Sequence, residues 1–178
     1  SLFLDEKTYK PYKNSMYAMD IISKKGNSRN TLIGDYAGED LTQGSSASDE
    51  GGENTFIGSS SAMDATSASF NVAIGVNSGK SLTTGNENTF LGLGAGYRIS
   101  SGTRNICIGK DVGPSDTSNG DNNRLYIDAK TANNGTNCFI YGDQSGSQGQ
   151  LVFNAMLHVQ DTSASTSSAT VIDASLFS

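Results

Sequence analysis

Asn71-Val72-Ala73-Ile74-Gly75 is one of five copies of a pentapeptide that recurs along this chain. The other copies are Asn30-Thr31-Leu32-Ile33-Gly34, Asn54-Thr55-Phe56-Ile57-Gly58, Asn88-Thr89-Phe90-Leu91-Gly92 and Asn105-Ile106-Cys107-Ile108-Gly109. The closing glycines of the last four copies are 17 residues apart, whereas those of the first two are 24 residues apart. The additional residues fit a loop at 45–52, which is rich in Ser, Asp, Glu and Gly. Self-similarity at a fixed period predicts a solenoid.

Each pentapeptide has the composition of a short strand that ends in a tight turn. Side chains of a strand alternate between its two faces, so the copies define two columns. We assign one column to the core of the coil: Ile33, Ile57, Ile74, Leu91 and Ile108. We assign the other to an interface between subunits: Leu32, Phe56, Ala73, Phe90 and Cys107. The opposite assignment is the alternative, but both columns are largely apolar and both need burial.

The rest of each period predicts a second, weaker strand that folds back over the core. Small residues follow the closing glycine by three positions, and Leu41, Ala65, Leu82 and Ile99 follow it by seven. The asparagine that opens each copy suits either a turn or a side-chain ladder between stacked coils.

A single coil of this size is not expected to fold alone. Fixing about 17 residues costs on the order of 17–34 kcal/mol of backbone entropy. Three or four buried side chains return only roughly 1.5–3 kcal/mol each. Stacking of coils, and trimerisation through the second apolar column, are therefore predicted.

The pattern Asn-x-x-Ile-Gly-x-x-(Ser/Ala)-Gly, as in residues 71–79 and 88–96, resembles the head repeat of YadA-type trimeric autotransporter adhesins. The same repeat occurs in fibre proteins of tailed phages. The resemblance covers about residues 30–113 and implies a left-handed parallel β-roll, intertwined or packed as a homotrimer. Phe56 and Phe90 depart from the family, in which a small residue is commoner at that position.

The chain divides into four segments by composition and rhythm. Residues 1–28 predict an N-terminal lead-in or cap, with a candidate strand at 19–23, and residues 29–113 predict the β-roll. Residues 114–160 predict a loop at 114–122 and a small antiparallel β meander, with strand candidates at 124–129, 138–142 and 150–160. Residues 161–178 predict a linker to a further module. The fold class is therefore all-β.

Composition argues against several classes of protein. The chain has 178 residues, 35% of them hydrophobic, with 21 Gly, no Trp and a net charge of −6. The negative charge disfavours nucleic-acid binding, and no apolar run reaches the ~18 residues of a membrane span. The chain starts without Met or a signal peptide, which suggests a fragment or a processed chain.

Patterns for chemistry are weak. Cys107 and Cys138 lack metal-ligand spacing, and a disulfide between them is an open alternative to two buried thiols. His158 has no nucleophile pattern near it, so it does not suggest a catalytic triad. Residues 116–121 resemble a calcium-binding loop only faintly. The glycines of 92–96 could be mistaken for a phosphate-binding loop, but they belong to the repeat. Asp128 and Asp143 are a conceivable carboxylate pair of a glycan-cleaving enzyme, although turn-forming aspartate is favoured. We expect no catalytic residue, cofactor or metal.

The sequence thus favours a non-enzymatic segment of a trimeric virion fibre, of a phage tail or head, that mediates host attachment or spaces a receptor-binding tip. Its partners would be its own copies, other virion proteins, and a glycan or protein receptor on the cell surface. A bacterial surface adhesin head, a tailspike-type polysaccharide-degrading enzyme and, because Thr31, Thr55 and Thr89 recur, an ice-binding surface are the alternatives. The loops 45–52 and 114–122 are the candidate receptor contacts, because binding residues concentrate on loops.

Overall fold

The computed structural model describes residues 29–41, 52–115, 121–129, 136 and 138–154. These residues form one eight-stranded sheet whose strands are neighbours in chain order. The strands are β1 (Thr31–Ile33), β2 (Thr55–Ile57), β3 (Val72–Ile74), β4 (Thr89–Leu91), β5 (Ile106–Ile108), β6 (Arg124–Ile127), β7 (Ile140–Asp143) and β8 (Gln150–Phe153).

The first six strands pair in parallel in chain order: β1–β5 are the five copies of the pentapeptide, and β5 pairs with β6, which is not a copy. The strands β6, β7 and β8 then pair antiparallel. The described ranges contain strands, turns and irregular segments but no α-helix. The predicted all-β parallel solenoid is therefore confirmed, and each pentapeptide contributes one of its strands.

The predicted assignment of the coil core is wrong, because the interior of the coil holds the other column. The column assigned to a subunit interface lies inside the coil of a single chain, where Phe56, Ala73, Phe90 and Cys107 are fully buried and Leu32 packs against them. The column assigned to the core faces outward, and none of its members is buried: Ile33, Ile57, Ile74, Leu91 and Ile108. The rings occupy the interior because the turn that faces them offers room.

That room comes from small residues in the turn. A Cβ added to Gly79 would lie 2.7 Å from Cδ2 of Phe90, so glycine makes space for the ring of the next coil. Ala62 takes the equivalent position one coil earlier, where the next strand carries Ala73 instead of a ring. At these two positions the turn thus carries glycine where the next strand carries a ring and alanine where it carries a small residue, as dense interior packing requires.

The second strand predicted in each coil is absent from the described residues, where turns occupy 35–40, 59–64, 76–81 and 93–98. In each turn the second and fourth residues after the closing glycine have positive φ, as in Asn77 (56°) and Gly79 (57°). This alternation points N–H groups in both directions along the stack: Asn77 donates to Ser59 O at 2.9 Å and Gly79 to Ala95 O at 2.8 Å. The turn therefore satisfies its backbone between coils without β conformation.

The asparagines that open the pentapeptides form a side-chain ladder between coils. This was one of the two interpretations that the sequence allowed, the other being a turn. Oδ1 of Asn71 accepts the backbone N–H of Asn88 at 2.9 Å and its Nδ2–H at 3.0 Å. The same pair of bonds joins every consecutive pair of these residues: Asn30 to Asn54, Asn54 to Asn71, and Asn88 to Asn105. Nδ2 of Asn71 also donates to Gly85 O at 2.9 Å. Buried amides are thus paired on both sides, as burial demands.

Several predicted features lie outside the described residues. They are the cap at 1–28 with its strand at 19–23, most of the loop 45–52, residues 116–120, His158 and the linker 161–178.

Replacement of Asn71 by alanine is expected to remove about 2–5 kcal/mol of unfolding free energy, because buried donors on Asn88 lose their acceptor. Urea denaturation at fixed protein concentration measures the loss. The control Gln148→Ala removes an exposed side-chain amide and should change stability by less than about 0.5 kcal/mol. A loss below about 1 kcal/mol for Asn71→Ala would contradict the role given to the ladder.

Gly79→Ala is expected to cost about 2–4 kcal/mol, from left-handed strain and from the clash with Phe90. The matched control is Gly146→Ala, where the added methyl group meets only Gln148 O at 3.9 Å. The difference in thermal unfolding midpoint between the two variants measures the stability lost through strain and the clash at position 79. Equal midpoints would show that the turn does not need glycine at position 79.

Candidate functional site

The outward face of the sheet carries two rows of side chains that run across all eight strands. Strand register places one uninterrupted apolar row there: Ile33, Ile57, Ile74, Leu91, Ile108, Ile127, Ile140 and Phe153. A mixed row runs beside it: Thr31, Thr55, Val72, Thr89, Ile106, Leu125, Gly142 and Leu151. Together these residues are called the outer face below.

The outer face is apolar and uncharged, yet it stays open to solvent within one chain. Leu91, Ile106 and Leu151 are 45%, 42% and 59% exposed, and Phe153 is 44% exposed. Neither row contains a charged side chain. Contiguous exposed apolar surface of this kind marks an interaction site in soluble proteins.

Polar and charged residues border the face on the side where the strands begin. The residue before each ladder asparagine lies on this border: Arg29, Glu53, Phe70, Glu87 and Arg104. Asn123 takes the equivalent place before β6, and Phe70 is the apolar member of the set, 46% exposed. Arg29 forms an ion pair with Glu53, and Nε of Arg104 donates to Oδ1 of Asn123 at 2.9 Å. An apolar centre with a polar rim is the usual anatomy of a protein interface.

The sequence predicted the apolar row only in part and assigned its residues to the coil core instead of the surface. The five residues predicted as the coil core make up most of the apolar row, whereas the five predicted interface residues lie away from the face. Residues Ile127, Ile140 and Phe153 were missed. Their alternating apolar pattern was visible in the sequence, but only the pairing of β5 with β6 and of β7 with its neighbours places them in the row.

A polar cluster fixes the antiparallel strands against the solenoid. Arg124 contacts both Asp143 and the hydroxyl of Tyr141, and Tyr126 Oη donates to Asp121 Oδ2 at 3.1 Å. Burial, with the nearby Asp121 carboxylate, raises the pKa of Tyr126. The Ser145 N–H, with Arg124 adjacent, lowers the pKa of Asp143. Because each charged group has a partner, this cluster is best explained as a structural junction.

The two candidate catalytic carboxylates do not form a pair. Asp143 lies opposite Arg124 at the start of β6, whereas Asp128 directly follows the end of that strand. Because Asp128 lies four residues beyond Arg124, the backbone positions of Asp128 and Asp143 are about 13 Å apart along the strand direction. The two carboxylates of a glycosidase are only ~5–9.5 Å apart. Asp128 is also 8% exposed.

Cys107 and Cys138 are both buried free thiols. Burial raises the pKa of each thiol, which disfavours the reactive thiolate.

Within the described ranges no group of three or more His, Cys, Asp or Glu side chains is arranged to hold a metal ion. The same ranges include no helix with the length and apolar character needed to span a membrane.

Comparison with known proteins gives no relative: no family model, curated protein or solved structure matches this chain.

Proposed function

We propose that this chain is a structural and adhesive segment of a homotrimeric fibre, in which three solenoids pack through the part of the outer face that lies on their parallel strands β1–β6. The fibre belongs to a virion, as a phage tail or head fibre, or alternatively to a bacterial surface. It mediates host attachment or spaces a receptor-binding tip, with β6–β8 as a closing meander. The observation that carries the proposal is the uninterrupted, uncharged apolar row along the solenoid.

Charge supports a second copy of the chain as the partner of this face. Copies that each carry a net charge of −6 repel one another, so close contact needs a neutral surface. The outer face is such a surface, since neither of its rows carries a charged side chain. In a ring of three copies each outer face would give one side to one neighbour and its other side to the next, and closed rings of identical subunits are a common form of soluble oligomer.

The sequence repeat supports a fibre in particular. Stacked coils grow along one axis, and a rotation axis parallel to that stack lets every coil contribute to the contact between copies. The resemblance to trimeric adhesin heads and phage fibres selects three copies. The loops 45–52 and 114–122 would present receptor contacts at the outside of such a fibre.

A mass measurement in solution tests the assembly. Sedimentation equilibrium of the whole chain should give three times the chain mass at micromolar concentration. Leu91→Glu should weaken association at least tenfold, because a charge would be buried at the contact. Leu91 is exposed in the single chain, so the fold of each copy should persist.

The control for this variant is Thr84→Glu, which places the same charge on an exposed residue that belongs to neither row of the outer face. It should leave the mass unchanged. A wild-type chain that remains monomeric at high concentration, or a Leu91→Glu variant as strongly associated as wild type, would refute the trimer. A screen of the trimer against cell-surface glycans then tests attachment.

Deletion of residues 45–51 should leave the unfolding midpoint nearly unchanged. Asn54 N–H reaches Asn30 Oδ1 at 2.8 Å across 24 residues, the same bond that other coils make across 17, so the stack closes without the additional residues. Gly52 is kept, because its carbonyl accepts the Phe70 N–H at 3.0 Å. Calorimetry at fixed concentration measures the midpoint. A large loss would show that the segment is structural rather than a receptor loop.

A further inference from the structure

Strand β8 is an apolar edge strand whose side chains are exposed on both faces of the sheet. All four of its residues are exposed, and Leu151, Val152 and Phe153 are 59%, 36% and 44% exposed. One edge pairs with β7, and Asn154 holds the strand end through bonds from Nδ2 to Thr136 O (2.7 Å) and Cys138 O (2.6 Å). In the described part of the chain no strand pairs with its other edge.

Such an edge is a hazard for a free chain. Apolar edge strands can template pairing with another chain, and proteins block them by keeping them very short or with charges, proline or a covering element. Strand β8 has four residues. The sequence Gln150-Leu151-Val152-Phe153 carries none of these blocking residues. The strand is nevertheless well anchored to its own sheet, so its exposed side chains are held in place for a partner.

The register of β8 continues the outer face without a break. Leu151 pairs with Gly142 and Phe153 with Ile140, which extends the mixed and apolar rows past the end of the parallel coils. The rows on which another copy would pack therefore continue from the parallel strands across β7 to β8.

The antiparallel strands also enlarge the face. Six parallel strands at about 4.8 Å spacing and about 10 Å long present about 240 Å² in projection, and the longer strands β7 and β8 add roughly half as much again. The apolar side chains of β8 are the exposed ones in this added part of the face.

We propose that β8 is a second contact element between copies of this chain, in which Leu151 and Phe153 pack against the outer face of a neighbouring copy. This inference rests on the proposed function, because it needs copies that associate through that face. The occupant of β8 is a second copy, and coverage by the chain's own residues 155–178 or by another protein is a distinct outcome of the test.

The first test compares two doubly substituted variants of the whole chain. Leu151→Asp with Phe153→Asp should raise the dissociation constant at least tenfold in a sedimentation dilution series. The control, Ser147→Asp with Gln148→Asp, adds the same charge to the exposed loop before β8 and should stay within twofold of wild type. Circular dichroism confirms that both variants keep their strands.

The second test does not depend on weakening the assembly. Phe153→Cys, treated with a short bismaleimide, should give covalent dimers of the chain, whereas Ser147→Cys should not. The native thiols do not interfere, because Cys107 and Cys138 are buried.

The outcomes separate the inference from the proposed function. A wild-type trimer that dissociates with Leu91→Glu but is unaffected by the β8 substitutions, with no cross-link at position 153, overturns the inference alone. A wild-type monomer overturns both. A trimer that is weakened by the β8 substitutions and cross-linked at position 153 establishes β8 as part of the contact.

Discussion

The buried asparagine ladder is the interaction on which the rest of this structure depends. Between consecutive asparagines of the ladder, Oδ1 of one residue accepts two bonds from the next, and Nδ2 of the later residue reaches back to the coil before it. A slip of one residue between coils would leave these amides unpaired in a dry interior, at a cost of about 1–3 kcal/mol each. The ladder therefore fixes the register of β1–β5, and that register aligns every other row of the solenoid.

Packing inside the coil follows from this alignment. Because the strands are in register, the central residue of each strand meets the turn of its neighbouring coil, and Phe90 requires glycine at 79. The turns in turn depend on residues that accept positive φ, such as Asn77 and Asp111. In the turns, backbone hydrogen bonds to the neighbouring coils satisfy the N–H groups that a second strand would otherwise have paired.

The same register also produces the surface that carries the proposed function. Aligned strands place Ile57, Ile74 and Ile108 in a line, and a line of partly exposed apolar side chains along a rod favours lateral association of rods. The polar groups that could have suggested catalysis are engaged elsewhere: Arg124 and Asp143 join the antiparallel strands to the solenoid. The architecture therefore supports the proposed assembly of copies through a surface rather than a function based on these polar groups.

The sequence by itself determined the repeat, the strand positions, the parallel stacking and the presence of two apolar columns, because period and alternation are local properties of the chain. It left the role of the asparagines open and gave the two columns the wrong sides. Only the tertiary structure decided these points, since the interior accepts Phe56 and Phe90 only where turns of small, left-handed residues from neighbouring coils leave room. It also decided that Ile127, Ile140 and Phe153 join the outer row, because strand pairing brings together residues that are distant in sequence.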